Sequence, residues 1–317
     1  MFSIIIPNYN GAQFLPNCLK SVKTAIENCP DCQFEIILVD NASTDNSVLL
    51  FKKLTDLLKI KNCKLKINSS NFGFAKAVNQ GIMAAKNDWV VLLNNDLTMA
   101  PDWFSLISKA ITKNKSNKYS CFCGTVLNKS GNKFESQGLD FNIKGKCNNI
   151  SNNLDFNPKL LSSTNSEIWG SSAALVVYSK DVIKKIGLFD EDFFAYEEDV
   201  DLALRLNRLG YKTLYIPIAL SFHLGGGTSR NMGNFRSRMD AKNWFFIIIK
   251  NYSSKEILSN LFPLIEERFR NLSGLIKNTS IFLIPQSIIS TYGNVIKKIP
   301  SMLKKRKRIQ ILLKSKL

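Results

Sequence analysis

The stretch FEIILVDNASTDNS, residues 34–47, decides the fold. An apolar run closes on one acid, Asp40; a segment of cap-forming residues follows, and a helix-period pattern then runs from Val48 to Lys59. The same order recurs on both sides. Upstream, FSIIIPN (2–8) precedes a stretch in which Leu15, Cys18, Leu19, Val22 and Ile26 share a helical face. Downstream, KLKIN (64–68) precedes NFGFAKAVNQGIMAAKN (71–87), and WVVLLNND (89–96) precedes a helix opened by Pro101, a favoured first-turn residue. Strand–helix units in series predict an α/β fold with a mostly parallel central sheet and helices on both faces. In such sheets ligands gather at the carboxyl ends of the strands.

Those ends hold Pro7, Tyr9 and Asn10, then Asp40, then Asn71, then Asn94, Asn95 and Asp96. Helix capping accounts for about half of such polar positions. It does not account for two acids that each close an apolar strand. A nucleotide-shaped ligand laid across adjacent strand ends does.

A hydrophobic content of 45% with 21% charged residues excludes a disordered chain. Seven cysteines at irregular spacing match neither a zinc pattern nor a secreted disulfide framework, so reduced thiols in a cytosolic setting are expected. Cys121 and Cys123 are read as alternating across a strand. The opening MFSIIIPNYN lacks a basic leader, which argues against a secretory signal. The most apolar later stretch, 281–296, is interrupted by Pro285, Gln286, Ser287, Thr291 and Asn294, short of the roughly 20 apolar residues a membrane span needs.

The net charge of +18 is concentrated at one end. Residues 230–317 hold 18 Lys/Arg against 4 Asp/Glu, leaving 25 against 21 for residues 1–229. The chain therefore reads as a near-neutral globular body, 1–229. A basic helical region, 230–317, follows it. Residues 128–167, rich in Asn, Ser and Lys, are expected to form hairpins and a loop near 140–165 whose order on binding is open. IWGSSAALVVYS (168–179) is read as a strand entered through small residues.

In EEDVDLALRLNRLGY (197–211) Leu202, Leu206 and Leu209 mark an apolar helix face, so Glu197, Glu198 and Asp199 stand at the helix start and Gly210 closes the end. Acids suit that end of a helix, and Asp201 with Arg205 is an i,i+4 pair. Three successive carboxylates exceed what capping needs. Their mutual repulsion raises at least one pKa, which makes Asp199 the candidate general base. His223, the single histidine, ends another apolar run just before a Gly225–Gly227 run; a packed side chain and a ligand of a divalent cation are both open readings.

Six segments in register, SIIIPNYNG, ILVDNASTDNS, NFGFAKAVNQGI, LLNNDLTM, the run WGSS to GYK (169–212) and HLGGGTS, resemble the inverting family 2 glycosyltransferases. The similarity is greatest to the bacterial rhamnosyltransferase-like branch that builds cell-surface polysaccharide, and it covers roughly residues 2–230. The resemblance implies a GT-A catalytic domain at 1–229, with a nucleotide-binding half to about residue 127 and an acceptor-side half at 128–229, in which Pro7, Tyr9 and Asn10 contact base and ribose and Asp40 reads a pyrimidine N–H. Lys76 stands where a basic residue approaches base or phosphates, or is simply solvated. Asn71 and the triplet Asn94, Asn95 and Asp96 complete the donor side. The triplet matches an Asp-x-Asp element, whose last acid binds Mg²⁺ or Mn²⁺ on the sugar-nucleotide diphosphate, and Asn94 departs from the acid-rich pattern.

By the same resemblance, Glu198 and Asp199 match a pair in which the Asp deprotonates the acceptor hydroxyl, and Trp169 and Gly170 line the acceptor side. Trp169 as plain core packing is equally open. In some relatives a His at the position of His223 completes the metal shell. The implied donor is a dTDP- or UDP-sugar, the implied acceptor a glycan or lipid-linked hydroxyl. The basic region carries no nucleic-acid reading motif, so nucleic acid is not expected as a partner. Its mixture of apolar and basic residues suits docking on an anionic membrane from the cytoplasmic side, or a solvated cap on the catalytic body. Two rival readings are a sugar-nucleotide-binding assembly subunit without turnover and a nucleotidyltransferase; the second lacks its glycine-rich phosphate loop after the first strand. Oligomeric state is not fixed by the sequence.

Overall fold

The computed structural model describes residues 1–225 and 233–315. The expected alternation is present: β1 (Phe2–Asn8), α1 (Leu15–Glu27), β2 (Phe34–Asp40), α2 (Ser47–Leu57), β3 (Cys63–Ile67), α3 (Phe74–Ala84), β4 (Trp89–Leu93), β5 (Leu97–Met99) and α4 (Trp103–Lys113). Then come β6 (Tyr119–Asn128), β7 (Phe134–Ser136), β8 (Leu139–Asn142), β9 (Lys146–Asn149), β10 (Ser166–Ile168), β11 (Leu175–Ser179), α5 (Lys180–Ile186), α6 (Glu198–Arg208) and β12 (Lys212–His223). The basic region forms α7 (Phe235–Asn251), α8 (Ser254–Ser259), α9 (Leu261–Lys277) and α10 (Ile284–Lys314).

The main sheet runs β10-β12-β6-β11-β4-β1-β2-β3, with β5 on β12 and β7 on β6. Strands β1 to β4 are parallel, as are β6 and β12, while β11 lies antiparallel between β4 and β6. Side chains leave a strand alternately to its two faces. Thus Ile4, Ile6, Val91 and Leu93 fill the core under α1 and α4, while Ile5, Val90 and Leu92 fill the core under α3 and α5. Phe122 joins the first core and its neighbours Cys121 and Cys123 the second, the alternation expected of them. Each fully buried Ile or Leu contributes on the order of 1.5–3 kcal/mol, so the two faces supply most of the fold's stability.

Three expectations are corrected. Pro101 lies in the turn ahead of α4, which begins at Trp103 after Asp102. The segment 168–179 is not one strand: β10 pairs with β12, the chain bends through 169–174, and β11 enters the sheet beside β4. Small residues permit that bend, and Gly170 packs so closely on α6 that an added Cβ would sit 2.7 Å from the Ala203 Cβ. Cys29 and Cys32 are joined as a disulfide across the turn between α1 and β2, whereas reduced thiols were expected throughout.

A third core is shared across residue 229. Leu139, Phe193, Val200 and Leu204 pack with Trp244, Phe246, Ile247 and Tyr252 of the C-terminal region. The basic helices are therefore seated on the α/β body, next to α6.

Candidate active site

At the carboxyl ends of β1, β2 and β4 the side chains form one hydrogen-bonded row. Asn8 is its centre: its Nδ2 donates to Asp40 Oδ1 at 2.8 Å, and its Oδ1 accepts from Asn95 Nδ2 at 2.6 Å. Gly11 lies against this pair, where any Cβ would come within 2.0 Å of Asn95 Nδ2, so no other residue fits without displacing the row. Half-buried Pro7 is the next-to-last residue of β1, and past Asn8 come half-buried Tyr9 and Asn10, whose φ of 50° aims its Oδ1 to accept from the Thr44 N–H at 2.8 Å.

Asp40 differs from the expectation that it faces a base. It has 0% exposure and accepts from Asn8, from Ser43 Oγ at 2.6 Å and from Ser43 N–H at 2.9 Å. In this structure its carboxylate shapes the 41–45 loop and offers no exposed oxygen. Asn71 Oδ1 accepts from Gly73 N–H at 2.9 Å, just ahead of α3, and the Lys76 ammonium lies 4.1 Å from the centre of the Phe72 ring.

Asp96 and His223, 127 positions apart, are brought together because β5 pairs with β12 in a register that sets Leu97 opposite His223. Asp96 Oδ2 lies 3.0 Å from His223 Nε2. The other ring nitrogen, Nδ1, meets Glu135 Oε2 at 2.5 Å. Glu135, on β7, was missed by sequence reasoning: a lone acid in an Asn- and Lys-rich hairpin carries no pattern that points to a site. Burial disfavours the imidazolium, but the hydrogen bonds and charges of Asp96 and Glu135 prevail and push His223 up to about 10. Among the described residues Asp96 Oδ1 is buried and finds no hydrogen-bond partner.

That orphaned oxygen, beside an imidazole nitrogen, suits a divalent cation, and Glu135 holds the ring so that Nε2 faces Asp96. A cation held there would take the place of the Nε2 proton. Among the described residues no group of three or more His, Cys, Asp or Glu side chains could hold a metal ion. Of the glycine run, Gly225 is described, with φ of 71°, while Gly226, Gly227 and the rest of HLGGGTS lie outside the described residues.

The acids stand at the start of α6, as expected. Asp199 Oδ1 accepts from Val200 N–H at 2.8 Å and Oδ2 from Ala173 N–H at 3.1 Å. Burial pushes its pKa up, partly opposed by those N–H groups and by Ser172. Glu198 is buried and is pushed well up by burial and by the Asp199 charge; Glu197 is raised by burial, by Asp240 on α7 and by Asp199. Gly210, with φ of 73°, follows the end of the helix. The segment 173–174 ties the acids to the donor end: Ala173 N–H holds Asp199, and the Ala174 carbonyl accepts from Asn94 N–H at 2.8 Å.

Ahead of α6 the backbone is strained. Phe194, Tyr196 and Glu197 have φ of 69°, 66° and 64°, at a cost on the order of 1–3 kcal/mol each. On the far side, Trp169 is half-buried and stacks on Phe141 with centroids 4.5 Å apart and planes 8° from parallel, so one ring face is already covered. Its carbonyl accepts from Asn207 Nδ2, and the Gly170 carbonyl accepts from Leu139 N–H at 2.9 Å.

The family model described as "Glycosyl transferase family 2" matches residues 3–187. The N-acetylglucosaminyl-diphospho-decaprenol L-rhamnosyltransferase of Mycobacterium tuberculosis (strain ATCC 25618 / H37Rv) is 24% identical over 241 residues, 69% of this chain and 75% of that protein. The poly(ribitol-phosphate) beta-N-acetylglucosaminyltransferase TarS of Staphylococcus aureus (strain MW2) is 30% identical over 95 residues, which is 30% of this chain but only 16% of that enzyme. Among solved structures, GalNAc-T7 with UDP, GalNAc and Mn2+ superposes with a TM-score of 0.60 at 15% identity, covering 92% of this chain and 57% of that one. S. aureus TarS 1-349 in complex with UDP does so with a TM-score of 0.56 at 16% identity, covering 99% and 87%. These likenesses give the fold, GT-A, as expected.

Proposed function

This chain belongs to glycosyl transferase family 2, and from that premise we propose that it is an inverting transferase. It would move a sugar from a nucleoside-diphosphate sugar, of dTDP-rhamnose or UDP-hexose type, to a hydroxyl of a cell-surface glycan or lipid-linked acceptor. The observation that carries the reading is the linkage through residues 173–174. It sets a carboxylate with an elevated pKa on one side of a short wall and the Asn94–Asp96 strand end, with His223, on the other.

Each side has a task. The row Asn8, Asn10 and Asn95, with Tyr9, Pro7, Asn71 and Lys76 around it, cradles the nucleotide, and Asp40 keeps that cradle in shape. Asp96 and His223 would hold Mg²⁺ or Mn²⁺, which when bound neutralises charge on the leaving diphosphate. Asp199 removes the proton from the acceptor hydroxyl, whose oxygen displaces the nucleoside diphosphate from the anomeric carbon on the opposite face. Burial holds its proton affinity nearer to neutrality, as a general base requires. Glu198, buried beside it, is pushed well up by burial and by the Asp199 charge. Trp169 and Gly170 bound the acceptor side.

The acceptor class is tied to the C-terminal helices. Ile289, Ile296, Leu303 and Ile311 are exposed on α10, on the side opposite buried Thr291, Val295, Met302 and Ile309. Exposed Lys297, Lys304, Lys307 and Arg308 flank them, and Phe282 ahead of α10 is 91% exposed. An apolar stripe edged by lysines suits the interface of an anionic membrane, on the cytoplasmic face of the inner membrane in this reading. Among the described residues no helix is long and apolar enough to cross a membrane. The mycobacterial relative is named for a decaprenol-linked acceptor, in keeping with that placement.

A panel of sugar nucleotides, scored for thermal stabilisation with and without Mn²⁺, tests the donor assignment. The expected result is a metal-dependent rise in melting temperature with one nucleotide class. No rise with any of them counts against the assignment.

A further inference from the structure

We infer that Asn243 of α7 is a positioning residue for the reaction: it holds the strained segment 193–197 in the shape that presents Glu198 and Asp199. The inference rests on the catalytic reading given to that acid pair, and it places the determinant outside the part of the chain that the family match covers.

The segment presents its carbonyls to donors on other elements. Asn243, fully buried, turns its amide nitrogen toward three of them, Phe193 O at 3.1 Å, Ala195 O at 2.8 Å and Tyr196 O at 2.7 Å. Two N–H groups are shared among three acceptors, and only the amide nitrogen can serve, because an oxygen there would face oxygens. Lys242 Nζ adds Phe193 O at 3.2 Å and Asp192 O at 3.4 Å, and Ala75 N–H takes Phe194 O at 3.3 Å. All three strained non-glycine residues, Phe194, Tyr196 and Glu197, lie in or beside this span, and Asp199 follows two residues later.

Side chains of α7 grip the same segment. Phe246 meets the Phe193 ring edge-on, Phe235 meets the rings of Phe194 and Tyr196, and Arg236 lies over the Tyr196 ring at 5.4 Å. Left-handed backbone in residues that carry side chains persists only where the surroundings over-determine it. Here the surroundings are largely one helix, and the residue with the most bonds to the segment is Asn243.

The test compares Asn243→Ala with Ile247→Ala, a truncation in the same helix that removes core packing and none of the carbonyl bonds. Amide hydrogen exchange of the peptide spanning 193–201 is read by mass spectrometry, alongside kcat and donor KM. Asn243→Ala is expected to speed that exchange at least tenfold and to lower kcat at least tenfold, with donor KM within twofold of wild type. Ile247→Ala is expected to lower the melting temperature while leaving loop exchange and kcat within twofold. Lys242→Met, which removes the other α7 donor, moves the same readouts in the same direction by a smaller factor and stands in if Asn243→Ala does not fold. Unchanged exchange in folded Asn243→Ala, or an equal increase in Ile247→Ala, overturns the inference. If the wild type itself turns over no donor, the catalytic reading falls, and the exchange measurement alone decides whether Asn243 holds the segment.

Discussion

The two poles of the site are built differently. The donor pole is a row of neutral side chains, Asn8, Asn10 and Asn95 around Asp40, each placed by the strand it ends and bonded to its neighbour on the next strand. The acid pole is placed by charge from a distant part of the chain. Asp201 accepts from Arg205 at 2.7 Å, from Lys250 at 2.8 Å and from Asn251 at 2.9 Å, and Lys250 also reaches Asp190 at 2.7 Å. Lys305 of α10 bonds Asp190 and Asp192, and Lys298 bonds Asp192 at 2.6 Å. The donor pole should therefore tolerate change in the C-terminal helices, whereas the acid pole should not tolerate loss of the C-terminal side chains that bond it.

The largest expected effect lies at the acid pole. Asp199→Asn should lower kcat by about 10²–10⁴, the range of general-base catalysis, with nucleotide affinity unchanged in a titration. Comparable loss of nucleotide binding would mean that the two poles are not separable.

Next comes the ionic junction. Lys250→Ala leaves Asp190 and Asp201 buried beside each other and should cost about 3–5 kcal/mol in denaturant unfolding. A cost under 1 kcal/mol would show that the junction does not hold the helices to the body.

Acidity provides a graded version of the same comparison. Burial opposes ionisation of Asp190 and Asp201, yet Lys250 with Lys305, and Arg205 with Lys250, hold both carboxyls below the usual range. A carboxyl whose folded pKa is depressed adds stability that is complete above its unfolded value, about 4, and is lost as pH falls through the folded value. Unfolding midpoints should therefore drop below about pH 4, and Lys250→Ala should flatten that dependence. Asp199 titrates the other way, so the acid limb of the pH–rate profile should lie above the usual aspartate value of about 3.9.

The smallest effect is expected far from both poles. Ser253 closes a capping box with Glu256 at the start of α8, and Ser253→Ala should cost about 1 kcal/mol with kcat unaffected. Lost activity there would extend the acid pole beyond α7 and α10.

Legibility in the sequence follows the same division. The repeating strand–helix units announce themselves through periodicity, so the strand ends and Asp96 could be named from local pattern. The Asp96–His223 pairing could be posed as a question because both residues close apolar runs, and the register of β5 on β12 answers it. Glu135 could not be found, since its role depends on which strand β7 joins. Nor could Asn243 or Lys250, which in the sequence are ordinary members of a basic helix and become buried only by docking on α6. The segment 168–179 misled because small apolar residues suit a strand and a tight bend equally well. Charge excess pointed to an appendage, but six of the charges counted there or opposite it, Lys250, Lys298, Lys305, Asp190, Asp192 and Asp201, meet at the junction.

The central claim is that this chain turns over a sugar nucleotide with Asp96 and Asp199 at opposite poles. It is tested most directly by release of nucleoside diphosphate from the donor that stabilises the protein, in Mn²⁺ or Mg²⁺, for wild type, Asp96→Ala and Asp199→Asn. The account predicts metal-dependent release by the wild type, loss in both variants, and retained nucleotide binding in Asp199→Asn. Binding without release in the wild type, or equal release by all three, would contradict it.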